Sequence, residues 1–221
     1  EMIPYIPLLG TLMLGMGTRK HSYTEISKLV GMHTGGIRTT HFSSATVEDR
    51  QKVLSYIFFN GKALMEKVDN LFDLFDELFG EYSFDDTKRL IEIIRSSKAD
   101  MEDSIVPHGN HYVSARLQSY QSRLGKFDEL TDGITYYRFL EQLLERVEKN
   151  PADVAKQFRK VAERVFTRKN ALFNITSGKK DYQIIEKRIA GTVGILSDKE
   201  WQREEWDLKL EPLNEGFLTA S

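Results

Sequence analysis

The stretch VLSYIFFNGKALMEKVDNLFDLFDELFG, residues 53–80, contains both kinds of secondary structure that set the fold class. Val53 to Phe59 is an apolar and aromatic run typical of a buried strand, and Asn60-Gly61 indicates a turn after it. Apolar side chains then recur at helical spacing along one face, at Leu64, Val68, Leu71, Phe72, Phe75, Leu78 and Phe79. Gly80 stands where a C-terminal glycine cap belongs, so we expect a long amphipathic helix ending there.

Upstream of this stretch, the sequence predicts two helices and a second strand. The apolar segment from Ile3 to Met16 is too short to span a membrane, so we expect a buried helix. Ser22 and Glu25 have the spacing of a capping box, which predicts a helix that ends near Gly31. Ile37 to Ser44 is rich in β-branched residues and predicts a strand.

Downstream, helical patterns dominate. Asp85 or Asp86 can cap a helix whose end is marked by Pro107. The pattern from His111 to Arg146 stays mostly helical, with breaks near Gly125 and Gly133. Asn150-Pro151 places a capping side chain before a proline at the first helical position, which predicts the start of another helix.

The last part of the sequence predicts one more strand and one more helix. Ala171 to Thr176 has a strand pattern, with Ser177-Gly178 as its turn, and Asp181 to Ile189 has a helical one. The charged region from Leu196 to Leu213 is expected to be a connecting segment that packs Trp201 and Trp206 against the body. Long helices that separate a few strands indicate an α+β fold.

Composition excludes several functional classes. The 221 residues carry 31 basic and 33 acidic side chains, for a net charge of -2, so charge gives no reason to expect nucleic acid or a membrane as partner. The absence of cysteine excludes disulfides, thiolate metal sites and cysteine nucleophiles. The sequence starts in core-like residues and ends, at Gly216 to Ser221, on what resembles the start of a strand. We therefore expect an excised domain.

No catalytic motif is present in the sequence. A hydrolytic zinc site needs histidine and carboxylate ligands, and neither H-E-x-x-H nor H-x-x-E-H occurs. His108 and His111 are the two histidines close in sequence, but Gly109 and Asn110 between them are poor helix residues and supply no acid. There is no G-x-S-x-G elbow and no phosphate-binding glycine loop. We therefore expect no catalytic residue and no metal ligand in this sequence.

Arg116, Tyr120 and Arg123 are the candidate binding residues. Their spacing of four and three places them along one face of a helix, where they form a polar and aromatic line that can face a substrate. A structural role, in which Arg116 or Arg123 pairs with Glu129 or another acid, is the alternative.

Four ordered segments carry a family resemblance. They are IPYIPLL at 3–9 with MGT at 16–18 and SY at 22–23, HTGGI at 33–37, GKAL at 61–64, and AR at 115–116 through Ser122 with GITYY at 133–137 and FL at 139–140. Their order and spacing resemble the presequence-protease branch of the insulinase-like zinc metallopeptidases. The match is weaker toward the end of the sequence, where NEGF at 214–217 is compatible.

The resemblance implies a position within a larger enzyme. In that family, one chain contains four related α+β domains, whose two halves enclose a chamber for unfolded peptides, and the zinc site with its H-x-x-E-H motif lies in the first domain. This sequence resembles the third domain, in the non-catalytic half. The resemblance implies a helix-rich domain with an antiparallel sheet at 1–195, like the processing-peptidase repeat, and a connecting segment at 196–221.

The resemblance also implies partners, a cofactor and a compartment. The partners are the N-terminal catalytic half of the same chain and a peptide substrate, and zinc belongs to the parent chain. The arginine and tyrosine that the family supplies near R-x-x-G-G-A-Y have no counterpart here. The compartment is the cytoplasm for a bacterial protein and a mitochondrion or plastid for a eukaryotic one. The alternative function is a stand-alone, non-catalytic scaffold or interaction module derived from the same superfamily.

Overall fold

The computed structural model describes residues 2–201, 206, 208–211 and 213–216, and helices dominate this part of the chain. The helices are α1 (Tyr5–Gly15), α2 (Tyr23–His33), α3 (Val68–Gly80), α4 (Thr87–Ile105), α5 (Gly109–Ser119), α6 (Arg123–Thr131), α7 (Ile134–Lys149), α8 (Pro151–Val165) and α9 (Tyr182–Ile195). The strands are β1 (Ile37–Ala45) and β2 (Val53–Gly61). Short 3-10 turns occupy Met65–Lys67 and Arg168–Asn170. The prediction of a helix-rich α+β fold with an antiparallel sheet is confirmed.

The two strands form a hairpin. β1 and β2 pair antiparallel, from Ile37 opposite Gly61 to Ala45 opposite Val53. One face packs on α1 and α6, whereas the other leaves Phe42 and Phe58 exposed. The predicted turn at Asn60-Gly61 is wrong, because both residues are still paired in the ladder. The chain reverses instead across residues 46–52.

Helix α1 is the centre of the hydrophobic core. Its side chains Leu8, Leu9, Leu12 and Met13 are each at most 2% exposed. They pack in one cluster with residues of α4, α7 and α8, among them Ile94, Leu143 and Phe158. Burying a side chain of this size contributes about 1.5–3 kcal/mol each. The apolar segment that opens the sequence is therefore a buried helix, as predicted. Among the described residues, no helix is long and apolar enough to cross a membrane.

The three helix starts predicted from capping side chains are confirmed. Ser22 accepts a hydrogen bond from the backbone N–H of Glu25, and the Glu25 carboxylate accepts one from the backbone of Ser22. Asp86 caps α4 and Asn150 caps α8 in the same way. Each such cap stabilises its helix by about 1 kcal/mol, because it satisfies a backbone donor that the helix leaves open.

Three predicted helix boundaries are wrong. The helix predicted from Leu64 begins at Val68, after a 3-10 turn, and Leu64 is 74% exposed. Gly80 is the last residue of α3 rather than its left-handed cap, and the cap is Glu81, whose backbone N–H bonds to the carbonyl of Glu77. Helix α2 continues past its predicted end near Gly31 to His33. The glycine with the left-handed backbone in that turn is Gly36, at φ +107°.

The break predicted near Gly125 falls earlier, between α5 and α6. Ser122 caps α6 by accepting from the backbone N–H of Gly125, which lies inside the helix. A Cβ on Gly125 would stand 2.4 Å from the carbonyl oxygen of Gln118. Glycine is needed there because the start of α6 packs directly against the backbone at the end of α5. The break predicted near Gly133, between α6 and α7, is confirmed.

The predicted strand at Ala171 to Thr176 is wrong, because the segment pairs with no strand in the described part of the chain. Ile175 packs against α3 and α9, whereas Leu172 is 75% exposed. A strand pattern produces a strand only where a neighbouring edge is available, and no strand edge among the described residues adjoins this segment. Helix α9 forms as predicted but extends beyond Ile189 to Ile195.

Both tryptophans pack against the body, as predicted. The indole of Trp201 donates to the carbonyl of Glu163, and Trp206 stacks on Phe127 with ring centroids 4.8 Å apart. The strand predicted to begin at Gly216 to Ser221 stays a prediction, because Gly216 is described outside any strand and residues 217–221 lie outside the described residues. The domain boundary at residue 195 stays a prediction.

Candidate functional site

Arg116 is the centre of the candidate site. It lies on α5, one turn before Tyr120, and its side chain is 11% exposed. Its Nη1 donates to Glu129 Oε1 at 3.0 Å and to Thr135 Oγ1 at 2.9 Å. Its Nε donates to Tyr120 Oη at 3.1 Å and to Glu215 Oε1 at 2.5 Å. The Arg116 cluster, which comprises Arg116, Tyr120, Glu129, Thr135 and Glu215, therefore joins α5, α6, the start of α7 and the end of the described chain.

Glu129 anchors the inner side of this cluster. Its side chain is fully buried, and Oε1 accepts from Arg116 and from both the backbone N–H and the hydroxyl of Thr135. Its other oxygen, Oε2, is buried without a hydrogen-bond partner among the described residues. A Cβ on Gly133 would stand 2.0 Å from Oε2. Glycine at 133 therefore makes room for a carboxylate whose burial the Arg116 guanidinium compensates.

Glu215 completes the outer side of the cluster. Its carboxylate accepts from Arg116 and from the hydroxyl of Tyr120. The hydrogen bond from Arg116 and then that from Tyr120 hold the pKa of Glu215 below its ordinary value, because both favour the charged carboxylate. Burial would lower the pKa of Arg116, but the hydrogen bond to Glu215 and the charge of Glu129 outweigh it, so its pKa is raised. The Arg116 guanidinium thus lies between two carboxylates.

Arg123 contacts the end of the described chain at Trp206, nine positions before Glu215. It is the first residue of α6, and its Nη2 donates to the backbone carbonyl of Trp206 at 2.8 Å. Its Nε is buried with no hydrogen-bond partner in the part of the chain that the structure describes. Leu208, which is 5% exposed, packs with Phe127 and Val53. Residues 206, 208–211 and 213–216, which we call the C-terminal strap, are thus fastened at both ends.

The three candidate residues do not share one helix face as predicted, because α5 ends at Ser119 and Arg123 begins α6, but the structure brings two of them together. Arg116 and Tyr120 share one carboxylate, whereas Arg123 contacts the strap at Trp206. The alternative weighed from the sequence, pairing of Arg116 with Glu129, is confirmed. Substrate contact by these residues stays a prediction. Sequence reasoning missed Glu215, which stands 99 positions from Arg116.

Four of the five histidines have separate partners, and the fifth, His33, has its Nδ1 buried with no hydrogen-bond partner among the described residues. His21 Nδ1 lies 2.9 Å from Glu77 Oε1, and His41 Nε2 lies 2.9 Å from Ser55 Oγ. His108 Nδ1 donates to the carbonyl of Ser104, whereas His111 Nε2 lies 3.9 Å from Asp132. Over the described residues, no three side chains of His, Asp or Glu are grouped so that they could hold a metal ion. These residues do not fit a zinc site.

Comparison with known proteins decides the family. The sequence model of the family described as "Peptidase M16C associated" matches residues 1–143. The chain belongs to this peptidase M16C-associated family. The resemblance found in the sequence is therefore confirmed.

Several relatives match the chain as a small part of their own length. Protein HypA of Clostridium perfringens is 26% identical over 219 residues, which are 99% of this chain and 22% of HypA. Presequence protease 1, chloroplastic/mitochondrial, of Arabidopsis thaliana is 26% identical over 219 residues, 99% of this chain and 20% of that protein. The mitochondrial presequence protease of Yarrowia lipolytica is 26% identical over 180 residues, 80% of this chain and 18% of its own. This M16C-associated chain spans about a fifth of the length of these relatives.

Proposed function

We propose that this chain is the chamber-wall, substrate-enclosing part of a zinc metalloendopeptidase that degrades unfolded oligopeptides. The observation that carries the proposal is the match of 99% of the chain to a presequence protease. The chain spans 20% of that relative, so the zinc and its ligands belong to another part of the parent chain in this proposal. The N-terminal catalytic half of the parent is then the partner of this domain.

A wall contributes to peptide hydrolysis without reacting groups of its own. Closing a rigid surface over a peptide excludes water and limits substrates by their size and by how far they are unfolded. The core around α1 suits this role, because side chains of α4, α7 and α8 pack against it on several sides. In this proposal residues 1–195 form the wall domain and residues 196–221 lead into the next domain.

Arg116, Tyr120 and Arg123 are the proposed substrate contacts. Two of them already hold a carboxylate, that of Glu215, and this contact supports the proposal that their donors receive an acidic group of a peptide. The proposed compartment follows the kinds of relative: the cytoplasm for a bacterial protein, and a mitochondrion or plastid for a eukaryotic one.

Steady-state kinetics of the full-length parent protein tests these contacts. We expect Tyr120→Phe and Arg123→Gln to raise KM for an unfolded peptide several-fold and to leave kcat nearly unchanged, since they remove binding but no reacting group. Lys156→Gln, which removes an exposed cation on α8, is the control and should change neither constant. If KM responds to neither Tyr120→Phe nor Arg123→Gln, substrate contact at this site is contradicted.

A further inference from the structure

The outer half of the Arg116 cluster receives a carboxylate from the protein's own chain. We propose that Arg116 and Tyr120 form a carboxylate-binding site that Glu215 occupies in cis, and that the C-terminal strap closes this site until a carboxylate of a bound peptide replaces Glu215. The peptide as ligand rests on the proposed function. The carboxylate site itself rests on the contacts of Arg116 and Tyr120 alone.

The donors are held in place from the inner side. Arg116 Nη1 is fixed by Glu129 and Thr135, which belong to α6 and the start of α7 and do not depend on the strap. This leaves the Nε edge of the guanidinium directed outward to Glu215, with the Tyr120 hydroxyl beside it as a second donor. A site whose donors are already oriented loses little side-chain entropy when a new carboxylate binds. The site therefore persists when Glu215 leaves.

The two carboxylates on Arg116 differ in how readily they can be exchanged. The Glu129 side chain is fully buried, whereas that of Glu215 is 23% exposed. Within residues 208–211 and 213–216, the strap contains no helix or strand to hold Glu215 in place. An ion pair that solvent can reach is weaker than a buried one, because water and salt screen the attraction. Glu129 is thus the permanent partner of Arg116, and Glu215 is the replaceable one.

The strap can release Glu215 without detaching entirely. Trp206 stacks on Phe127, its carbonyl accepts from Arg123, and Leu208 is buried. These contacts precede Glu215 in the chain and do not involve Arg116 or Tyr120. A tethered group competes at an effective concentration on the order of millimolar. Glu215 should therefore exclude weak free carboxylates and give way to a peptide that makes further contacts.

Chemical rescue tests the site without any peptide. Glu215→Ala removes the tethered carboxylate. Propionate is a free carboxylate whose carbon chain is similar in size to the glutamate side chain. We expect propionate to raise the melting temperature of Glu215→Ala saturably, and to leave the wild type and an exposed control in the same strap, Glu211→Ala, without such a rise. Propionamide, which lacks the charge, should not act. Tyr120→Phe in the Glu215→Ala background should weaken the rescue.

Two results overturn the carboxylate site. One is the absence of rescue by propionate in Glu215→Ala. The other is an equal effect of propionamide, which would mean that the vacancy binds small molecules without regard to charge. Circular dichroism of each variant shows that it is folded before the titration.

Peptide binding then identifies the source of the carboxylate. One neutral sequence is prepared with a free C-terminus, with an amidated C-terminus, and with an amidated C-terminus plus one internal glutamate. We expect Glu215→Ala to tighten binding of a carboxylate-bearing peptide about tenfold or more over the wild type. A gain for the free acid alone assigns the site to peptide C-termini, and a gain for the internal glutamate alone assigns it to acidic side chains. An equal gain for the neutral amide overturns the proposal.

The two tests separate this inference from the proposed function. If the parent protein cleaves no peptide but propionate rescues Glu215→Ala, the carboxylate site stands and the peptidase role fails. If the parent protein cleaves peptides and propionate does not rescue Glu215→Ala, the peptidase role stands and the carboxylate site fails.

Discussion

At the scale of single residues, Glu129 places a carboxylate inside the protein, and its neighbours compensate for the lost hydration. Arg116 supplies the opposite charge, Thr135 supplies two donors, and Gly133 leaves space for Oε2. Breaking a buried ion pair by removing or displacing one member leaves the other charge uncompensated. The Arg116 cluster therefore depends on Gly133, which has no side chain and contributes only the space for Glu129 Oε2.

Substitution of Gly133 tests that dependence. We expect Gly133→Ala to lower the free energy of unfolding by about 3 kcal/mol, because the new Cβ displaces Glu129 from Arg116. Strain in the backbone would not explain such a loss, since φ -95° and ψ -170° at Gly133 are accessible to alanine. Urea unfolding measures the change.

Gly191→Ala is the matched control for this change. Gly191 lies inside α9, and a Cβ there would meet nothing within 4 Å, so alanine should stabilise the helix by about 0.5–1 kcal/mol. Equal effects of the two substitutions would show that Glu129 tolerates displacement.

The sequence predicts the inner part of the candidate site better than the outer part. Arg116 and Tyr120 stand four positions apart, which places them together on any helix, and Glu129 is close enough in the chain to be considered as a partner. Glu215 is brought to them by the path of the strap across α5 and α6. Local spacing carries no information about such a contact.

At the scale of elements, the capped helices form where the sequence predicts them. Ser22, Asp86 and Asn150 each bond to a backbone N–H of their helix, which makes the start a local property. Helix ends and strands depend more on tertiary packing. Gly125 is accommodated inside α6 by close backbone contact with α5, and Ala171 to Thr176 has strand-forming residues without an adjoining strand edge.

Removal of the α2 cap tests whether the start of this helix is stabilised locally, independently of the other helices. We expect Ser22→Ala to cost about 1 kcal/mol, because the N–H of Glu25 loses the Ser22 hydroxyl as its acceptor and the Glu25 carboxylate loses the same hydroxyl as a donor. Hydrogen exchange should become faster in the first turn of α2 and remain unchanged in α7. Ser27→Ala, at an exposed interior position of the same helix, is the control. Faster exchange across both helices in Ser22→Ala would mean that α2 is not an independent unit.

At the scale of the whole molecule, one core organises the described chain, and its family match places that core within much longer relatives. The apolar pattern of α1 predicts burial, because all of Leu8, Leu9, Leu12 and Met13 need apolar neighbours. The pattern does not predict which helices supply those neighbours, since ridge-and-groove packing is decided by the arrangement of α4, α7 and α8 together.

The central claim is that this chain supplies a wall, and other parts of the parent chain supply the zinc chemistry. Zinc content and hydrolysis of an unfolded peptide, measured side by side on the full-length parent and on the 221-residue chain, test it most directly. We expect stoichiometric zinc and hydrolysis for the parent, and neither for the 221-residue chain. Tight zinc binding with hydrolysis by the 221-residue chain itself would contradict the account, and an inert parent without zinc would favour a non-catalytic scaffold instead.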